Sequence, residues 1–227
     1  MAFPTSCTFR AAAAGAQPGR SLASPDRMRL CIDAGHGGAD PGGSAAGPTP
    51  AQEKDFALAL ALLLEEEMES RGHWVVMTRR RDRTLSLAAR AAFANRLEAE
   101  VFVSLHANAA SQPTVEGMEV FHFPAAVAAR HLGQSVLASL LAAFPGHRDR
   151  GVKTAPFLVL RATRMPAVLV ECEFLTNQRQ ARFLASQANR LEMARAIAVG
   201  IEAAPSAGPL ASGRRRLGQR EREPFPV

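Results

Sequence analysis

The stretch Cys31–Gly43, CIDAGHGGADPGG, decides how the rest of the chain is read. The largely apolar run before and into it, Met28–Ile32 (MRLCI), has the character of a buried strand. It ends in a glycine-dense turn that carries one histidine, His36. Gly35, Gly37 and Gly38 let the backbone take positive φ and approach a ligand closely. A strand that stops in such a loop presents its tip where α/β proteins keep their sites. A phosphate loop does not fit: G-x-G-x-x-G counted from Gly35 needs a glycine where Asp40 stands, and no G-x-x-x-x-G-K-[ST] is present. A metal fits better, because a neutral imidazole on a stiff strand end is a common zinc ligand. His36 alone does not decide the matter, since a turn or surface histidine would look the same.

Outward from that loop, strands and helices alternate. Gln52–Arg71 reads as a helix with Phe56, Leu58, Leu60, Leu62, Leu63 and Met68 on its apolar face, and Gly72 stops it. His73–Thr78 is a strand, and Thr84–Leu97 an alanine-rich helix capped by Thr84. Val101–His106 is a third strand ending in a histidine, and Gly117–Phe123 alternates like a half-buried strand that Pro124 closes. Ala125–Phe144 is helical, Gly146–Lys153 a basic loop, and Phe157–Leu160 and Ala167–Phe174 two short strands. Gln178–Ser186 and Gln187–Ala203 are closing helices. The expectation is a single α/β domain over 28–204, with a twisted, mostly parallel sheet of about six strands flanked by helices on both faces. Residues 1–27 lack apolar periodicity and are expected to be disordered, and 205–227 form a Pro-, Gly- and Arg-rich tail. Ala11–Ala14 is too short and weakly apolar for the core of an export signal, and Met28 is a candidate translation start.

Composition narrows the function. A chain of 227 residues with 47% hydrophobic content can bury a sizeable core, yet no run approaches the ~18–20 apolar residues of a membrane-spanning helix. The net charge of +6 is carried mostly at the ends: +2 in residues 1–27, +3 in 205–227 and only +1 between them. A near-neutral domain argues against specific nucleic-acid binding. The basic tail is either solvated charge or a contact for anionic wall polymers or lipid surfaces. Cys7, Cys31 and Cys172 are an odd count without C-x-x-C spacing, and the last two read as small buried hydrophobes.

Four residues form a candidate constellation. His36 and His106 sit on strand tips, Glu53 opens the helix after the glycine loop, and Glu171 lies near the end of the last strand. Two imidazoles and one carboxylate leave a fourth position of tetrahedral zinc open, and a further carboxylate can take a proton from water. Spacing alone leaves other accounts standing, with Glu53 an ordinary helix-terminal charge and His106 a satisfied core histidine.

The segments IDAGHGGADPG, EKDFALALA, SLHANA, PAVLVE and FLTN, in that order, resemble the zinc-dependent N-acetylmuramoyl-L-alanine amidases of the AmiC/CwlC type, the Amidase_3 family. The resemblance spans about residues 28–203. It implies that His36, Glu53 and His106 bind one Zn2+ and that Glu171 is the catalytic glutamate. It also implies a peptidoglycan hydrolase that cleaves the amide between N-acetylmuramic acid and L-alanine of the stem peptide. Such enzymes act on the cell wall; the want of an export signal points to release of an endolysin type, as in a phage or prophage. Alternatives are a zinc peptidase acting on another peptide bond and a catalytically inactive peptidoglycan-binding module.

One departure from the family pattern stands out. Its glycine two residues after the catalytic glutamate is Glu173 here. Residues two apart on a strand share a face, so Glu173 either shares the role of Glu171 or marks a bend that turns it to solvent. His73 and His131 read as surface or packing residues, and Trp74 as core. His122 faces either the cleft or water. His147, Arg148, Arg150 and Lys153 read as solvated charge, with contact to substrate carboxylates as the alternative.

Overall fold

Leu30, Ile32 and Ala34 of strand β1 (Arg29–Ala34) pack on one side of a sheet, while Cys31 packs on the other. That two-sided burial is why the strand reads as a nearly unbroken apolar run. The computed structural model describes residues 27–45 and 51–205. The expectations for 1–27 and 205–227 therefore fall, apart from Arg27 and Pro205, outside the described residues.

After β1 the chain forms α1 (Glu53–Ser70), β2 (Trp74–Met77), α2 (Leu87–Arg96), β3 (Val101–Asn108), β4 (Met118–His122) and α3 (Val127–Ala143). It continues through β5 (Asp149–Thr154), α4 (Leu158–Ala162), β6 (Ala167–Phe174), α5 (Gln178–Ala185) and α6 (Gln187–Ala203). The sheet order is β2-β1-β3-β6-β4-β5. Every neighbouring pair is parallel except β4 with β6. Helices cover both faces, as expected.

The two faces are covered unequally. On one, Leu60, Leu64 and Met68 of α1, Leu140 of α3 and Ile197 of α6 close over Ile32, Val103, Leu105 and Val170. Phe56, Leu60, Leu64 and Met68 recur at i, i+4, so one stripe of α1 is buried. Each such side chain is worth about 2 kcal/mol of apolar burial. Leu62, expected on that stripe, is exposed. On the other face a smaller cluster joins Cys31, Phe102 and Leu169 to Ala94 of α2 and to Val159 and Leu160 of α4. On this face His106 and Glu171 stay half-buried rather than fully covered.

Several local expectations are corrected. Phe157–Leu160 belongs to the short helix α4 rather than a strand, an ambiguity inherent in apolar runs of four residues. The basic stretch read as a loop contains edge strand β5, whose polar residues tolerate the half-solvated position. Helix α2 is capped by Ser86, whose side chain accepts the Ala89 N–H, while Thr84 Oγ1 accepts the Ala39 N–H of the glycine loop. Trp74 is exposed on β2 rather than in the core. Cys31 and Cys172 are buried as expected. His73 is a packing residue whose Nε2 lies 2.9 Å from Glu202. His122 is buried, on the opposite side of β4 from Glu119 and Phe121.

Candidate active site

His36 follows β1 after Gly35 and adopts φ 58°, a left-handed conformation uncommon for a residue with a side chain. Two buried arginines hold the turn there. Arg79 donates from Nε to the Ala34 carbonyl and from Nη2 to the carbonyls of Gly35 and Lys54. Arg90 donates from Nη1 to the Ala34 carbonyl and from Nη2 to the His36 carbonyl. The turn must also be narrow: a Cβ on Gly35 would lie 2.3 Å from the His106 ring, and one on Gly42 2.5 Å from Glu53 Oε2. Glycine is required at both positions for close approach.

The fold brings three of the expected residues together. Glu53, the first residue of α1, has its Oε1 3.1 Å from His36 Nε2 and 2.7 Å from His106 Nδ1. Single ligand atoms of His36, Glu53 and His106 all lie within 4.8 Å of one another, close enough to hold one cation. Backbone donors from the glycine loop and from β3 fix the carboxylate: Gly43 N–H to Oε2 at 2.7 Å and Ala107 N–H to Oε1 at 3.2 Å. Burial opposes the charge on Glu53, but bonding to His106 and His36 wins and holds its carboxyl down at about 2. Burial likewise opposes a charged His36, and is outweighed by Glu53 and Asp40, which push the imidazole up to about 9.

Each imidazole is gripped on its far nitrogen. His36 Nδ1 lies 2.9 Å from Asp40 Oδ2. His106 Nε2 lies 3.1 Å from Ser104 Oγ, and that hydroxyl donates to buried Asp33 Oδ2 at 2.7 Å. Asp33 Oδ1 in turn accepts from Thr78 Oγ1 and Arg90 Nη1, at 2.6 and 2.8 Å. Carboxylate-backed imidazoles of this kind are the usual support of a metal centre. The donor set and its backing therefore fit a divalent cation.

Glu171 joins the group through strand register. It is the β6 partner of His106 on β3, so the two side chains are neighbours on one face. Its Oε2 is buried and accepts no hydrogen bond from the protein. Burial is the main cause that pushes its carboxyl up to about 7, with Glu53 and Glu119 adding to it against the pull of His106 and His36. A carboxylate beside a cation site, unpaired and titrating near neutrality, is suited to proton transfer.

Glu173 does not reach the site. The β3–β6 ladder runs from His106↔Glu171 to Asn108↔Phe174, so β6 carries an extra residue between them. The bulge breaks the two-residue alternation, and Glu173 is fully buried elsewhere. Its Oε2 accepts the N–H groups of Gly117 and Phe174, and its Oε1 lies 2.8 Å from His147 Nδ1. A bend is present, as one expectation had it, but it turns the side chain into a buried pair and not to solvent.

Sequence reasoning missed Asp33, Arg79, Arg90, Ser104 and Glu119. Ser104 carried a usable signal, lying two residues before His106 and so on the same strand face. Arg90 carried a weaker one, as a charge in the middle of an alanine-rich helix.

Comparison with known proteins shows the family of the chain. Residues 30–203 match the Amidase_3 family model, described as N-acetylmuramoyl-L-alanine amidase. The chain is 37% identical over 176 residues to the N-acetylmuramoyl-L-alanine amidase CwlM of Bacillus licheniformis, covering 77% of this chain and 67% of that one. It is 36% identical over 176 residues to the endolysin of Bacillus phage SPP1, covering 75% of this chain and 63% of the relative. The chain thus spans about two thirds of the length of both relatives. The structure of the amidase AmiC2 of Nostoc punctiforme superposes with a TM-score of 0.72 at 34% identity, covering 81% of this chain and 97% of that one. Matched along nearly all of its folded part, the chain belongs to the Amidase_3 family of N-acetylmuramoyl-L-alanine amidases.

Proposed function

We propose that this protein hydrolyses the amide joining the lactyl group of N-acetylmuramic acid to L-alanine in peptidoglycan. In this reading His36, Glu53 and His106 hold one zinc ion and Glu171 is the general base. The observation that carries it is the unpaired, buried Oε2 of Glu171 beside His106, across from a ready-made two-imidazole, one-carboxylate cluster. That donor set suits tetrahedral zinc with one position left open. When bound, such an ion polarises the scissile carbonyl and acidifies water.

The chain's own groups supply the rest. Glu171 accepts a proton from the attacking water and returns it to the leaving amine nitrogen, and a carboxyl near 7 serves both directions at neutral pH. Asp40 and the Ser104–Asp33 pair keep each imidazole in one orientation. Arg79 and Arg90 keep the glycine turn closed under His36.

The cell wall is the proposed place of action, in the manner of the phage endolysin relative. None of the described helices is long and apolar enough to cross a membrane. The arginines of 205–227 are read as a contact for anionic wall polymers. The test is release of stem peptides with a new L-alanine amino terminus from purified sacculi. Chelator should abolish it and zinc restore it; chelator-resistant release would contradict the mechanism.

A further inference from the structure

A row of side chains continues past the base to the edge of the sheet. His106 of β3 is the register partner of Glu171 of β6, and Glu171 is the partner of Glu119 of β4. Glu119 is buried, and its Oε2 accepts from Arg150 Nε at 2.9 Å and from Lys153 Nζ, both on β5. Its Oε1 accepts from Asn108 Nδ2 at 2.7 Å. Both cations touch Glu119, whose strand lies ~4.8 Å from β6, so they stand about one to two strand spacings from Glu171, on the side away from His106. Among the described residues, no strand lies beyond β5.

At the β5 end of the row one carboxylate, Glu119, is shared by two cations, Arg150 and Lys153. Arg150 is committed: its guanidinium lies over the Phe174 ring, 4.9 Å from the centroid. Lys153 is the freer of the two, its side chain 39% exposed. An ammonium has three donors, so Lys153 can keep Glu119 and still bind another acceptor. Phe121 flanks it, the ring centroid 5.8 Å from Nζ, which favours a localised cation over a mobile one.

We propose that Lys153, braced by Glu119 and Arg150, is a specificity subsite for a free carboxylate of the stem peptide, that of the α-carboxyl of its second residue. The proposal rests on the amidase reading above. An extended peptide advances ~3.3–3.6 Å per residue, which places that carboxylate within reach of a cation one to two strand spacings from the base. The basic stretch thus has a use that solvated charge would not require.

Two synthetic muramoyl peptides test it, identical except that the α-carboxyl of the second residue is free in one and amidated in the other. Zinc-loaded wild-type protein should favour the free acid in kcat/KM by about five- to tenfold, a ratio that contracts at about 0.5 M salt. In Lys153→Met the ratio should fall to near one, mostly through KM, while Lys153→Arg keeps most of the preference. Equal wild-type rates on the two peptides would overturn the subsite, as would a Met variant that retains the wild-type ratio. Should wild-type protein free an L-alanyl amino terminus from neither peptide, the amidase reading itself fails. Where the Met variant does not fold, Lys153→Gln takes its place with the same expected ratio near one.

Discussion

Glu173 and His147 are joined at 2.8 Å inside the protein, at the strand bulge of β6 and on the far side of that strand from Glu171. The carboxylate is fully buried and also accepts two backbone N–H groups, so it closes the turn before β4 onto the end of β6. Removing one partner of a buried pair costs more than the pair itself contributes, because the other polar groups stay desolvated. Glu173→Ala is therefore expected to lower stability by about 3 kcal/mol. Its kcat at a permissive temperature should stay within a few-fold of wild type. Denaturant unfolding and sacculus digestion measure the two effects, and a collapse of kcat without loss of stability would give Glu173 a chemical role after all.

The base assignment predicts the opposite pattern. Glu171→Gln removes a buried carboxylate that the protein leaves unpaired, so folding stability should be unchanged or higher. The rate should fall by about 10²–10⁴-fold, with zinc affinity close to wild type. Titration of zinc by competition with a chromogenic chelator, beside the activity assay, separates loss of the base from loss of the metal.

The pH dependence follows from two groups whose charge states are displaced. Glu171 has its carboxyl raised to about 7 in the folded protein. The folded state thus holds that proton more tightly than the unfolded state, and stability from this source falls as pH rises from about 4.5 through 7. Zinc-free wild-type protein should lose melting temperature across that window, and Glu171→Gln should lose less. His36 is raised to about 9, so at pH 7 the zinc-free imidazole is protonated and must give up its proton to a metal. Calorimetry in buffers of different ionisation enthalpy should show about one proton released per zinc at pH 7, and an apparent affinity that rises with pH.

Ser104 links His106 to Asp33 without reaching the cleft itself. Ser104→Ala frees the imidazole to rotate and leaves Asp33 short of a donor. Zinc affinity should drop by about 10–100-fold, and activity should return when zinc is supplied in excess. An unchanged affinity would show that packing alone sets the ring.

Much of this was legible in the chain before any coordinates. The glycine-dense turn after an apolar strand announced a site at His36, the i, i+4 stripe of α1 announced a covering helix, and two strands ending in His106 and near Glu171 announced where partners would lie. These are local signals, readable because backbone periodicity and glycine sterics act over a few residues. Tertiary structure alone decided what depends on pairing between distant strands. Register placed Glu171 beside His106 and Glu119 beside Glu171, and one extra residue in β6 carried Glu173 to the opposite face. Burial selected Arg79 and Arg90, out of many arginines, to brace the turn from 44 to 56 residues away. No window of sequence contains that information, because a ladder offset by a single residue would leave the same string while reversing which side chains meet.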